Sequence, residues 1–111
     1  MQIRALDLKE LYEIYEIVKE LYPLRYEEFE DLVYEMRETY KMFGVFERET
    51  LVAFAGCVVQ ITLKQGRHLY VNDFGIKKGF DKRKYTKLLK EFLEDCAKTF
   101  MCENVLYGME H

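Results

Sequence analysis

The stretch MFGVFERETLVAFAGCVVQITLKQGRHLYVNDFGI, residues 42–76, decides how this chain folds. It is rich in Val, Ile, Phe and Tyr, the side chains that suit a pleated, half-buried surface. Two polar breaks divide it, one at 47–50 (Glu-Arg-Glu-Thr) and one at 64–67 (Lys-Gln-Gly-Arg). Three strands follow from that division, at 42–46, 51–63 and 68–76. Connections this short join antiparallel neighbours, so the stretch reads as a meander. Gly56 interrupts the longest run and predicts a bulge or close backbone packing.

On the N-terminal side, Ile3, Arg4 and Ala5 read as a short first strand. Asp7 followed by Glu10 has the spacing of a helix-capping pair. Leu11, Ile14, Tyr15, Val18, Leu21 and Tyr22 recur at helical spacing, and Pro23 should end that helix. A second apolar stripe runs through Tyr26, Phe29, Leu32, Val33, Met36 and Tyr40, and the acidic residues around it read as a solvated face. On the C-terminal side a polar loop at 77–82 leads into a helix with Leu88, Leu89, Phe92, Leu93, Cys96, Ala97 and Phe100 on its apolar face. Residues 104–109 read as a final strand. A strand-helix-strand unit crosses over right-handed, so that strand should lie parallel to the one starting at His68. The predicted order is β-α-α-β-β-β-α-β, a single α/β (α+β) domain over residues 1–111.

Composition narrows the function classes. The chain has 111 residues, half of them apolar and a third charged, with nine Tyr and eight Phe but no Trp. A chain of that length buries enough surface to fold without a disulfide or metal staple. Its net charge of −3 gives no general attraction to nucleic acid, so any basic site must be local. No apolar run approaches the length of a membrane span, and the start carries no signal-peptide pattern, which predicts a cytoplasmic protein. Cys57, Cys96 and Cys102 lack Cys-x-x-Cys spacing and read as reduced, mostly buried thiols. With only two His, His68 and His111, zinc is disfavoured.

Three segments carry a family resemblance. Residues 43–56 pair a short acidic turn with an apolar strand containing Gly; residues 69–76, Leu-Tyr-Val-Asn-Asp-Phe-Gly-Ile, put an acidic residue within a strand; residues 88–105 supply a helix and a strand. In that order they resemble the β2–β3 hairpin, β4 strand and following helix and β5 of the GNAT N-acetyltransferase superfamily. The resemblance implies a GNAT-like mixed sheet and transfer of an acetyl group from acetyl-CoA to an amine. It also implies a cofactor pyrophosphate held at the start of the helix after β4, where unpaired N–H groups and the helix dipole favour an anion. The pantetheine arm would then lie between splayed β4 and β5 strands.

The same resemblance exposes departures. The family's Arg/Gln-x-x-Gly-x-Gly/Ala loop aligns with Phe80, Arg83 and Tyr85, all bulky, while Asp81 brings a negative charge and Gly79 is the only glycine nearby. Against this, residues 77–87 hold six cations and one carboxylate, a local charge of +5. The resemblance assigns cofactor contact to Gly79, Lys82, Arg83, Lys84 and Tyr85, binding acetyl-CoA or another CoA-type molecule weakly. Nucleic acid is disfavoured because base-stacking aromatics do not interleave with these charges.

Asp73, beside Asn72, is the candidate general base, with a structural Asp as the alternative. His68 directly follows a turn and is expected on the surface. Tyr107 is expected on a sheet face rather than as an acid. The order lacks the family's usual C-terminal helix and strands, which predicts an open last strand and a homodimer formed through it. A catalytically inactive GNAT-like interaction module is the competing function.

Overall fold

The computed structural model describes residues 1–108; Met109, the last residues after it and their part of the expected final strand lie outside the described residues. The chain runs β1 (Gln2–Ala5), a single 3₁₀ turn (Leu8–Glu10), α1 (Leu11–Val18), α2 (Tyr26–Met36), β2 (Lys41–Glu47), β3 (Thr50–Thr62), β4 (Gly66–Ile76), α3 (Lys82–Thr99) and β5 (Asn104–Tyr107). The five strands form one sheet in the order β1-β2-β3-β4-β5. The first three pairings are antiparallel, and β5 joins β4 in parallel after the α3 crossover. This is the mixed α+β architecture and the element order expected from the sequence.

The helices cover both faces of the sheet. On one face Leu89, Leu93 and Ala97 of α3 pack against Val45, Leu69 and Val71. On the other, Ile14 and Ile17 of α1 and Phe29 and Val33 of α2 pack against Phe46 and Phe54. Leu89 and Leu93 are fully buried, a position where truncation to Ala costs about 2–5 kcal/mol. The capping pair forms as its spacing predicts. The Asp7 carboxylate accepts from the Lys9 N–H at 2.8 Å, and that of Glu10 accepts from the Asp7 N–H at 3.0 Å. Arg4 locks Glu10 from β1 at 2.6 Å.

Both N-terminal helices stop short of their apolar stripes. α1 ends at Val18, before the Leu21 and Tyr22 of its stripe. Pro23 denies Tyr22 the helical conformation, and the N–H groups of Glu20 and Leu21 fold back onto Ile17 and Val18 in tight turns. α2 ends at Met36, so Tyr40 belongs to the turn entering β2, where its N–H meets the Met36 carbonyl. β4 differs in the opposite sense and begins at Gly66, two residues early. Gly66 takes φ +69 to close the β3–β4 turn, a conformation glycine adopts without steric cost.

That early start corrects the expectation for His68. It is not a surface residue beside a turn but lies within β4, 1% exposed. Its Nδ1 lies 3.0 Å from the Gly66 carbonyl, and its Nε2 lies 2.9 Å from Oε1 of Gln60, its partner across the β3–β4 ladder. Both ring nitrogens are engaged, so His68 is a structural residue.

Candidate functional site

The β3–β4 ladder contains one irregularity that shapes the site. Cys57 pairs with Val71 and Gly56 with Asp73, leaving Asn72 as an extra residue with no partner on β3. One inserted residue reverses the alternation of a strand. Before the bulge, Leu69 and Val71 point into the α3 core; after it, Phe74 does. Asp73 is thereby turned to the opposite face, toward α1 and α2, as is Gly75, which lies against Ile17 and Leu21.

There Asp73 meets two tyrosines. The Tyr22 hydroxyl donates to Oδ1 at 2.5 Å and the Tyr40 hydroxyl to Oδ2 at 2.5 Å. Burial, reinforced by the bond to Asp73 and its charge, raises the Tyr22 hydroxyl well above the ordinary phenol range. Burial followed by the Asp73 charge raises Tyr40 further. Both therefore remain protonated donors at neutral pH. Gly56 makes room for this arrangement, because a Cβ built there would collide with the Tyr40 hydroxyl. The sequence predicts a bulge in Gly56's own run or close backbone packing there; the bulged residue is instead Asn72 on the opposite strand, and the close neighbour is a side chain.

Above this trio opens a cavity of about 330 Å³ between the helices and the sheet. Its walls include Val18, Phe29 and Val33, with Leu32 and Met36 at the rim and Tyr22, Tyr40, Asn72 and Asp73 as its polar parts. Among the described residues, Asp73 is the one charged residue lining it.

Among the described residues, the neighbouring stretch of β4 has a free edge. β5 pairs with β4 only from His68 to Val71 and, among the described residues, not beyond the bulge. The Phe74 ring sits edge-on to that of Tyr107 at 6.2 Å, where the two strands part. Tyr107 also carries Lys90 over its ring at 4.6 Å.

The basic loop follows β4 directly. The Lys77 N–H bonds the Val52 carbonyl at 2.7 Å, and Phe80 turns back onto Lys77 at 3.2 Å. Gly79 adopts φ +93 with open space where a Cβ would stand. Asp81 caps α3, its Oδ1 accepting from the Lys84 N–H at 3.1 Å. Lys82, Arg83 and Lys84 are exposed. Tyr85 is not: it is 4% exposed, belongs to the α3 core and meets the Phe80 ring edge-on at 6.2 Å. Its N–H is bonded to the Asp81 carbonyl. Of the five residues expected to touch cofactor, Tyr85 thus sits in the core and the other four lie on an open turn and helix start.

Tyr22 and Tyr40 are the site residues that sequence reasoning missed, having been assigned to apolar helix stripes. The three cysteines are free, with Cys57 and Cys102 buried, and burial pushes the Cys57 thiol up to about 12. No helix among the described residues is long and apolar enough to cross a membrane.

The family model described as the acetyltransferase (GNAT) family matches residues 8–110. Among curated protein sequences nothing matches. Similar solved structures include a GNAT family acetyltransferase from Staphylococcus aureus, 14% identical with a TM-score of 0.85, covering 99% of this chain and 87% of that one. A ribosomal-protein-alanine N-acetyltransferase from Brucella melitensis is 16% identical with a TM-score of 0.84, covering 100% and 82%. An aminoglycoside N-acetyltransferase in complex with CoA is 13% identical with a TM-score of 0.83, covering 98% and 76%. At such identities the structures are alike in fold.

Proposed function

Because the chain belongs to the acetyltransferase (GNAT) family, we propose that it transfers an acetyl group from acetyl-CoA to an amine seated over Asp73. The bulge at Asn72 is the observation that carries this reading. It aims the cavity's one carboxylate into the cavity, beside the stretch of β4 that β5 has left.

A primary amine arrives as an ammonium ion and must shed a proton before its lone pair can attack. Asp73 is the residue that takes that proton and passes it to water. An ionised carboxylate offers about four acceptor positions, and the two phenols use two of them. The amine nitrogen then bonds to the acetyl carbonyl carbon, and the carbon–sulfur bond breaks to release CoA as its thiolate. The nitrogen's second proton leaves to water through Asp73, which is ionised again after passing on the first. Tyr22 and Tyr40 are too weakly acidic to protonate that thiolate at neutral pH. Their part is to orient Asp73.

The chain's own groups fit CoA in two places. The free edge of β4 suits an extended pantetheine arm, which would pair like an added strand. At the start of α3, Asp81 occupies the Lys84 and Tyr85 N–H groups, leaving those of Lys82 and Arg83 for phosphate. Gly79 gives space, and Lys82, Arg83 and Lys84 give charge. Asp81 opposes them. Calorimetric titration should therefore give a dissociation constant of order 10–1000 μM for acetyl-CoA and CoA, weakened by added salt. No heat at millimolar CoA would end the enzyme reading and leave the interaction module.

Three free cysteines suit a reducing, cytoplasmic setting. β5 is the outer strand of the described sheet, and a second copy pairing along it would form a homodimer. Sedimentation over a concentration series tests that pairing.

A further inference from the structure

The cavity over Asp73 is built to select among amines. Val18, Phe29 and Val33 in its walls are all buried, and the rim residues Leu32 and Met36 are apolar too. One carboxylate stands at the polar end, with acceptor positions left over after Tyr22 and Tyr40 are bound. A second ammonium group, or the several hydroxyls of a sugar, would be desolvated against these apolar walls, away from the few polar groups gathered at Asp73 and Asn72. At about 330 Å³ the space lies at the small end of ligand cavities.

We propose that the acyl acceptor is a primary amine with one positive charge on a compact apolar body, an alkylamine or aralkylamine. The ammonium docks on Asp73 and the body lies along Phe29, Val33 and Leu32. Polyamines, amino sugars and lysine-rich protein tails are rejected by the same walls. This assignment rests on the acetyl-transfer reading for its chemistry, but the binding selectivity it demands is measurable without turnover.

The probes are phenethylamine, spermidine and glucosamine, titrated into the full chain by calorimetry and then compared in a CoA-thiol release assay with acetyl-CoA. Phenethylamine should bind at least about tenfold more tightly than either of the others. Asp73→Asn should remove that advantage, whereas phenethyl alcohol, with the same body and no charge, should bind weakly to both proteins. Since Asp73→Asn disturbs two phenol hydrogen bonds and can unfold the chain, Leu32→Glu provides a second arm. Leu32 is 45% exposed, so a carboxylate is tolerated there, and the added charge should move selectivity toward spermidine. Spermidine or glucosamine equalling phenethylamine in the unaltered protein overturns the inference even where acetyl transfer proceeds, as does a failure of all three to bind. Phenethylamine selectivity with no thiol release upholds the cavity's selectivity for such an amine as a ligand, and sinks the acetyl-transfer reading and with it the amine's role as acyl acceptor.

Discussion

The two ends of the candidate site are made in different ways. Around Asp73 the structure is held by contacts between residues far apart in the chain. Tyr22 lies 51 positions from Asp73 and Tyr40 lies 33 away, and Gly56 gives up its side chain to admit one of them. Around Gly79 the contacts are local: Phe80 onto Lys77, and Asp81 onto Lys84 and Tyr85. The first region is a packed polar network whose members cannot move independently. The second is an exposed turn and helix start whose side chains are free to be exchanged. The setting of Asp73 should accordingly be costly to alter, and affinity for phosphate cheap to alter.

The sharpest break in that contrast falls inside the loop itself, between Arg83 and Tyr85. Tyr85 is core, so Tyr85→Ala should destabilise the fold by about 3–5 kcal/mol, the range for removing a large buried aromatic. Arg83→Ala, on the exposed side of the same helical turn, should leave stability within about 0.5 kcal/mol. Urea denaturation of the two variants measures both. Equal tolerance would mean that the exchangeable region reaches further into α3 than the packing indicates.

In the Asp73 region, Tyr40→Phe removes one donor from a half-buried carboxylate. A hydrogen bond to a charged group contributes about 1.5–3 kcal/mol, and that loss is expected at pH 8. The pH dependence reports the burial of that hydroxyl beside Asp73. The Tyr40 hydroxyl titrates above its ordinary value in the folded state, so its contribution is complete below pH of about 10 and is lost as pH rises beyond that. The unaltered protein should therefore lose its advantage over Tyr40→Phe by up to about 1.4 kcal/mol per pH unit above that point. A gap that stays constant to pH 11 would mean that the Tyr40 hydroxyl ionises as readily in the folded chain as in the unfolded one, against its burial beside Asp73.

Much of the fold was legible because its signals are local. Turn residues at 47–50 and 64–67 divide the meander, the Asp7–Glu10 pair marks a helix start, and the α3 stripe runs unbroken. Gly56 marked an irregularity in the ladder, although the inserted residue, Asn72, lies on the strand opposite. What a periodic reading missed were residues whose partners are distant. Tyr22 and Tyr40 continue their apolar stripes at the right spacing; Pro23 marks the end of the first helix, but nothing next to either tyrosine says that its hydroxyl meets Asp73. His68 was misplaced for a related reason, since a strand starting at Gly66 rather than at His68 carries the imidazole inside. The loop was read correctly as basic, but sequence alone did not tell Tyr85 from its exposed neighbours.

The smallest effect concerns Asp81, which combines two opposed roles. As a cap it satisfies the Lys84 N–H and stabilises α3; as a charge it repels phosphate from the N–H groups beside it. Asp81→Ser separates them, because serine caps helices about as well as aspartate and carries no charge. The melting temperature should stay nearly unchanged, while CoA affinity rises several-fold with a steeper dependence on salt, the local charge going from +5 to +6. Asp81→Ala is the control: it also removes the charge but forfeits the cap, at a cost of about 1 kcal/mol. If serine and alanine raise affinity alike, charge is the whole effect and the cap is irrelevant to binding. If neither raises it, phosphate does not sit at the start of α3, and the exchangeable half of the site lies elsewhere on the basic loop.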